Sequence, residues 1–197
     1  EKRTQLDRLG SGKLLVALTD ATLSRESVLA TAADAEHAAT ETFRSWADEE
    51  PAPPAREAFT DVRDQEETHY ERVHEHLPDH DPPDAGGPMH AYLRGLEGSI
   101  ERIGAGLVGR PLVSTRSHTQ VISFFVNEAD TRMADLFRDL KSETNAELDR
   151  GLEALDVLCD GPEDWERARA PAEYVIQVAY DDYADTLAGL GESPPEE

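Results

Sequence analysis

Apolar residues recur along this chain at intervals of three and four, and no stretch alternates convincingly between apolar and polar positions. That period is the signature of amphipathic helices. Short helices are predicted within residues 1–20, around 5–9 and 13–18. Ser24 reads as the N-cap of a long helix that runs to about residue 50, where Pro51, Pro53 and Pro54 stop it. A second long helix is predicted over 56–77, followed by a proline- and glycine-rich loop over 78–88. A third covers 90–108, and Gly109-Arg110-Pro111 is expected to break it. Helices over 113–127 and 130–159 follow. A last helix over 162–190 carries the stripe Ile176, Tyr180, Tyr183, Leu187 and Leu190. The tail 192–197 is expected to fray.

Two of these stripes contain polar residues. In the first long helix, Glu36 falls among Leu29, Ala32, Ala39, Phe43 and Trp46. In the second, Glu66 and His69 fall among Phe59, Val62, Tyr70, Val73 and Leu77. A carboxylate drawn into a core needs a proton, a hydrogen-bond partner or a cation, because bare burial of its charge is costly. Residues three apart share a helix face, so Glu66 and His69 can reach one ion, and Glu36 on a facing helix supplies a third ligand. Carboxylate oxygen with imidazole nitrogen suits iron, manganese or zinc better than calcium. In the competing reading, Glu36 pairs with an arginine such as Arg63 and His69 is a satisfied core histidine.

The stretch Ala35-Glu36-His37-Ala38-Ala39-Thr40-Glu41-Thr42-Phe43, followed by Phe59 and by Glu66-Glu67-Thr68-His69-Tyr70, resembles the first helix pair of rubrerythrin-like proteins of the ferritin-like superfamily. The resemblance covers about 45 residues well and the rest by architecture. It implies an all-α fold: a ferritin-like four-helix bundle with additional N-terminal, crossover and C-terminal helices, in one domain over 1–197. Within it, 24–77 is the first helix pair, 89–109 the crossover and 113–159 the second pair. It also implies a metal site between the helices, with iron or manganese as cofactor and chemistry such as peroxide reduction or iron oxidation. Homodimerisation through an exposed helix face is a further expectation.

In such a bundle the second half should repeat the ligands of the first. Phe59, Val62, Glu66, His69, Val73 and Leu77 match Phe137, Leu140, Thr144, Glu147, Gly151 and Leu155 in spacing. Phe125 matches Phe43, which sets His118 opposite Glu36. The second Glu-x-x-His is therefore missing. In one reading Glu36, Glu66, His69, His118 and Glu147 form an altered site for one or two ions. In the other, favoured here, the second half has weakened or lost its ligands. A shift of register would bring Glu143 inward instead of Glu147. If the whole site has decayed, no metal is bound and the chain is a non-catalytic helical scaffold or interaction module.

Composition adds context. There are 42 acidic residues against 19 basic ones, for a net charge of −23, and only three of the basic residues are lysine. Carboxylate-rich, lysine-poor surfaces suit a very salty cytosol, where self-repulsion is screened. A halophilic, archaeal origin and a cytoplasmic location follow as expectations. Nucleic acid is an unsuitable partner, since phosphates need a basic face. No apolar run approaches the roughly 20 residues of a membrane span. The single cysteine, Cys159, excludes a CxxC-type iron centre, so redox work would need an external electron donor. His74, His76 and His80 read as solvated surface residues, and Tyr174, Tyr180 and Tyr183 as core packing.

Overall fold

The computed structural model describes residues 2–84 and 86–195. Ala85 of the expected loop, Glu196 and Glu197 of the expected tail, and Glu1 lie outside the described residues. The described residues form helices and connecting turns with no strand. In chain order the helices are α1 (Arg3–Leu9), α2 (Leu14–Leu18), α3 (Arg25–Glu49), α4 (Pro53–His74), α5 (Pro88–Arg94) and α6 (Ser99–Ile103). A π-helical stretch, Gly104–Gly109, leads into α7 (Arg110–Asn127), followed by α8 (Thr131–Leu158) and α9 (Pro162–Gly189). None of them is long and apolar enough to cross a membrane.

Helix starts follow local chemistry. The Ser24 hydroxyl accepts from the backbone N–H of Ser27 at the start of α3, and Asp130 caps α8 through the N–H of Met133. Proline occupies the first turn of α4, where its missing N–H has no intrahelical partner to lose. The second long helix therefore starts earlier than the expected 56 and ends at His74 rather than 77.

The long helices pack as two antiparallel hairpins. Phe59 lies against Phe43 and Trp46 in the α3–α4 pair, with ring centroids 6.2 and 5.3 Å apart. In the α7–α8 pair, Phe125 stacks on Phe137 at 5.9 Å. The hairpins face each other: α3 meets α7 through Glu36 and His118, and α4 meets α8 through His69–Glu143 and Arg72–Asp139. Phe43–Arg110 with Glu36–His118, and His69–Glu143 with Arg72–Asp139, run in opposite directions along the two contacts, so neighbours around the group are antiparallel. The segment between α4 and α7 must therefore travel back along the molecule, and it contains α5.

Two apolar clusters fill the interior. One holds Phe43, Trp46, Phe59, Ile103, Leu107 and Leu155. The other holds Leu29, Val73, Val121, Phe125, Phe137 and Leu140. Between them lies a buried polar layer of Glu36, Glu66, His69, Arg110, His118, Thr144 and Glu147. A third cluster seats α1, α2 and α9 against α7 through Leu9, Leu14, Val113, Ile176, Tyr183 and Leu187.

The predicted crossover helix differs in two ways. It is interrupted after Arg94, and Gly98 takes a left-handed φ of 87° before the chain resumes at Ser99. Gly109-Arg110-Pro111, expected to end a helix, instead lies inside one continuous helical run from Ser99 to Asn127. The π widening just before Pro111 relieves the clash between the proline ring and the preceding turn. Gly104 and Gly109 also let α9 approach: a Cβ on Gly104 would stand 2.1 Å from the carbonyl oxygen of Ala168. Among the C-terminal tyrosines, Tyr183 is buried but Tyr174 is 53% exposed, its ring in tilted contact with Tyr92 at 4.7 Å. Tyr174 is thus a surface residue, because the face of α9 that packs inward is set by Val175, Ile176 and Tyr183.

Candidate metal centre

Glu36 stands midway along α3, and Glu66 and His69 stand on the inner face of α4. All three are buried; Glu66 and His69 are fully so. One ligand atom from each lies within 4.8 Å of the others, which is the spacing of donors that can share one cation. His69 Nδ1 is 3.9 Å from Glu36 Oε2 and has no hydrogen-bond partner. Glu66 Oε2 is likewise buried and without a partner. Buried polar atoms are normally satisfied, so two unpartnered atoms on residues of this cluster fit the donor set of a cation site.

The outer nitrogen of His69 explains its orientation. Nε2 lies 2.7 Å from Glu143, whose carboxylate also accepts from Arg72 at 3.2 Å. A carboxylate accepts, so Nε2 carries a proton, and in the neutral ring this leaves the lone pair on Nδ1. That is the outer-partner arrangement that fixes the tautomer of a ligating histidine. Glu143 is half-exposed, on the rim of the layer, whereas Glu147 is fully buried. The two glutamates four apart on α8 therefore both reach the site, in different ways.

His118 comes to the layer from α7. Its Nε2 lies 3.0 Å from Glu36 Oε1, as the matching of Phe125 to Phe43 requires. Glu147 accepts from Gln65 at 2.5 Å through Oε1 and from Arg110 through Oε2. Thr144, at the repeat position of Glu66, is buried with its hydroxyl unpartnered. Arg63 pairs with its neighbour Asp64 at 2.6 Å and not with Glu36.

Arg110 is the member that sequence reasoning missed. Its guanidinium is 3% exposed and lies between Glu66 and Glu147. Nη2 reaches Glu66 Oε1 at 3.3 Å and also bonds Glu147, Nε donates to the Gly106 carbonyl at 3.2 Å, and the group lies 5.1 Å from the centre of the Phe43 ring. The π stretch delivers it there. A signal did exist: Arg110 extends the α7 stripe of Phe125, Val121, His118 and Val113 upstream.

One fixed cation thus serves three buried carboxyls. Burial, and then the charge of Glu66, raise the Glu36 carboxyl well above the usual range. Burial opposes ionisation of Glu66 too. There it is overcome by the charge of Arg110, which holds Glu66 well below the usual carboxylate range. Burial lifts Glu147 as well, against the pull of Arg110. Burial lowers His118 to about 4 and His90, close by on α5, to about 3, so both imidazoles are neutral at pH 7.

Comparison with known proteins gives no matching family model, no matching curated protein and no matching solved structure. The functional reading therefore rests on the site.

Proposed function

We propose that this chain is a ferritin-like, rubrerythrin-related protein that binds one transition-metal ion, iron or manganese, through Glu36, Glu66 and His69. The carrying observation is the convergence of three buried ligand atoms, two of them on residues with otherwise unpartnered polar atoms. The donor set of two carboxylates and one imidazole suits such an ion. His118 is a further ligand or a hydrogen-bonding support for Glu36. Glu143 fixes His69, and Arg110 stands where the resemblance implies a second ion. When bound, the ion would supply one-electron redox chemistry or serve in iron handling, with electrons from an external donor. Glu147 contributes as the anchor of Arg110.

The antiparallel hairpins, with a long return segment between α4 and α7, support the ferritin-like bundle; the comparisons leave this assignment a proposal. The carboxylate-rich composition supports a halophilic cytoplasm as its setting, and a homodimer is the proposed assembly.

A second reading is favoured by Arg110 itself. Its bonds to Glu66 and Glu147 neutralise the layer without metal, which makes the chain a non-catalytic scaffold with a polar core network. Metal analysis separates the two. Protein purified in high salt without chelator, then exposed to Fe(II) or Mn(II), should hold close to one ion per chain in the first reading. Less than about a tenth of an ion after loading supports the scaffold.

A further inference from the structure

A groove of about 740 Å³ lies between α1, the π-helical stretch, α7, α8 and α9. It shares no lining residue with the candidate metal centre, so an occupant there needs no bound ion. Its walls are mostly apolar, and two of the side chains in them, Leu152 and Trp165, are 42% and 39% exposed. Open apolar side chains lining a groove of this size are the ordinary form of a ligand site.

The groove has a direction. α7 and α9 run side by side in the same sense, with the stretch before α7 joining in: Gly104 meets Ala168, and Gly109 meets Ala172. Pro162, Trp165 and Leu155 therefore wall one end. Arg116 and Ile176 stand at the other, where Lys2 ties α1 to α9 by donating to Gln177 at 2.6 Å. Between the ends, Arg116, Leu112, Val108 and Gly104 follow at intervals of four along one helical run.

Charge distinguishes the two ends. Four cations and three carboxylates line the groove, an excess of one positive charge in a chain whose net charge is −23. Each carboxylate has an arginine of the same groove beside it: Asp7 has Arg3 at 3.6 Å, and Glu166 and Glu173 have Arg169 at 2.8 and 3.6 Å. Lys2 and Arg116 meet only neutral oxygens among the described residues, those of Gln177 and Leu112. Arg116 donates through Nη1 to the Leu112 carbonyl at 3.1 Å. Its Nε and Nη2 are unengaged among the described residues, and neither is sealed from solvent. Those two nitrogens form the guanidinium edge that takes both oxygens of a carboxylate.

The geometry points to a single-chain aliphatic carboxylate as the occupant, its head on Arg116 and Lys2 and its tail running past Leu112 and Val108 towards Leu155 and Trp165. A monoanionic head matches the single excess charge. The length follows from α9, which rises about 18 Å between Trp165 and Gln177 at ~1.5 Å per residue. A short acid leaves the Trp165 end uncovered.

Trp165 is the probe, because the only other tryptophan, Trp46, is buried in the α3–α4 pair. Full-length protein in high salt is titrated with 12-bromododecanoate and 2-bromododecanoate, since bromine quenches an indole only on contact, and with methyl dodecanoate as competitor. The tail-brominated acid should quench saturably at one per chain, and Trp165→Phe should abolish the quenching. The head-brominated acid should compete for the same site and leave Trp165 bright. The ester should bind at least tenfold more weakly. Arg116→Gln should bring acid and ester to within twofold of each other, with far-UV circular dichroism unchanged. Absence of saturable quenching by the tail-brominated acid would overturn the inference, as would equal quenching by both isomers or an ester that binds as tightly as the acid. So would a dimer that Trp165→Glu dissociates in sedimentation and dodecanoate does not, since the groove then belongs to a second copy of the chain. The wild-type titrations decide the matter even if a variant fails to fold, and their failure would leave the metal reading to its own assay.

Discussion

Arg110 touches Glu66 and Glu147 with the same nitrogen, Nη2, inside the buried polar layer. These two carboxylates come from different hairpins, so the guanidinium ties α4 to α8 from its place at the head of α7. A fixed positive charge does here part of what a second metal ion does in a two-ion site. It balances carboxylate charge that would otherwise be intolerable in the interior.

Removing that charge should have two effects. Arg110→Met leaves Glu66 and Glu147 buried without their cation, and should cost about 3–5 kcal/mol of stability in chelator. It also vacates the space between them. In Mn(II) or Fe(II) the variant should regain much of the loss and bind a second ion, read by denaturant unfolding and by metal analysis. A variant that loses stability but still holds no more than one ion would show that the second position is not a metal position.

Glu143 makes the complementary prediction. It lies outside the ligand set but holds the Nε2 proton of His69 at 2.7 Å. Glu143→Gln keeps an acceptor oxygen and removes the charge. Stability without metal should therefore change little, while metal affinity should fall about 10–100-fold. Competition with a chromophoric chelator measures it. Unchanged affinity would reduce Glu143 to a surface partner of Arg72.

His90 gives the molecule a pH signature. Burial and the nearby Arg110 hold its folded pKa at about 3, against about 6.5 in an unfolded chain. Between these values the unfolded state binds a proton that the folded state does not. The stability due to neutral His90 is thus complete above about pH 6.5 and declines as the pH falls towards 3. From pH 7 to pH 5 the decline amounts to about 2 kcal/mol. His90→Leu should remove that portion of the pH dependence in urea unfolding at the two pH values. Parallel curves for variant and wild type would mean that His90 takes its proton in the folded state.

Much of the site could be read in the sequence, for a physical reason. Glu36, Glu66 and His69 occupy positions of regular helices whose 3.6-residue period fixes which face is buried, and the structure buries all three. Matching Phe125 to Phe43 carried the register across to the second hairpin, and His118 meets Glu36 as that match requires. The choice between Glu143 and Glu147 was not decidable by period alone. Residues four apart share a face, and the rim glutamate and the buried one both touch the layer. Arg110 escaped because glycine and proline on either side of it suggest a break. A π turn changes the local period, so a pattern built on 3.6 residues per turn cannot follow it. Gly104 and Gly109 mark instead the close approach of α9 at Ala168 and Ala172, and Gly106 makes room for Trp46 and Phe43 of α3.

The central claim is that Glu36, Glu66 and His69 share a metal ion. It is tested most directly by elemental analysis of wild-type protein and of Glu66→Ala and His69→Ala, each purified in high salt without chelator and then loaded with Fe(II) or Mn(II). The account predicts close to one ion per wild-type chain and less than about a tenth in either variant, with helical content retained. A wild-type chain that stays metal-free after loading, or variants that keep their ion, would contradict it.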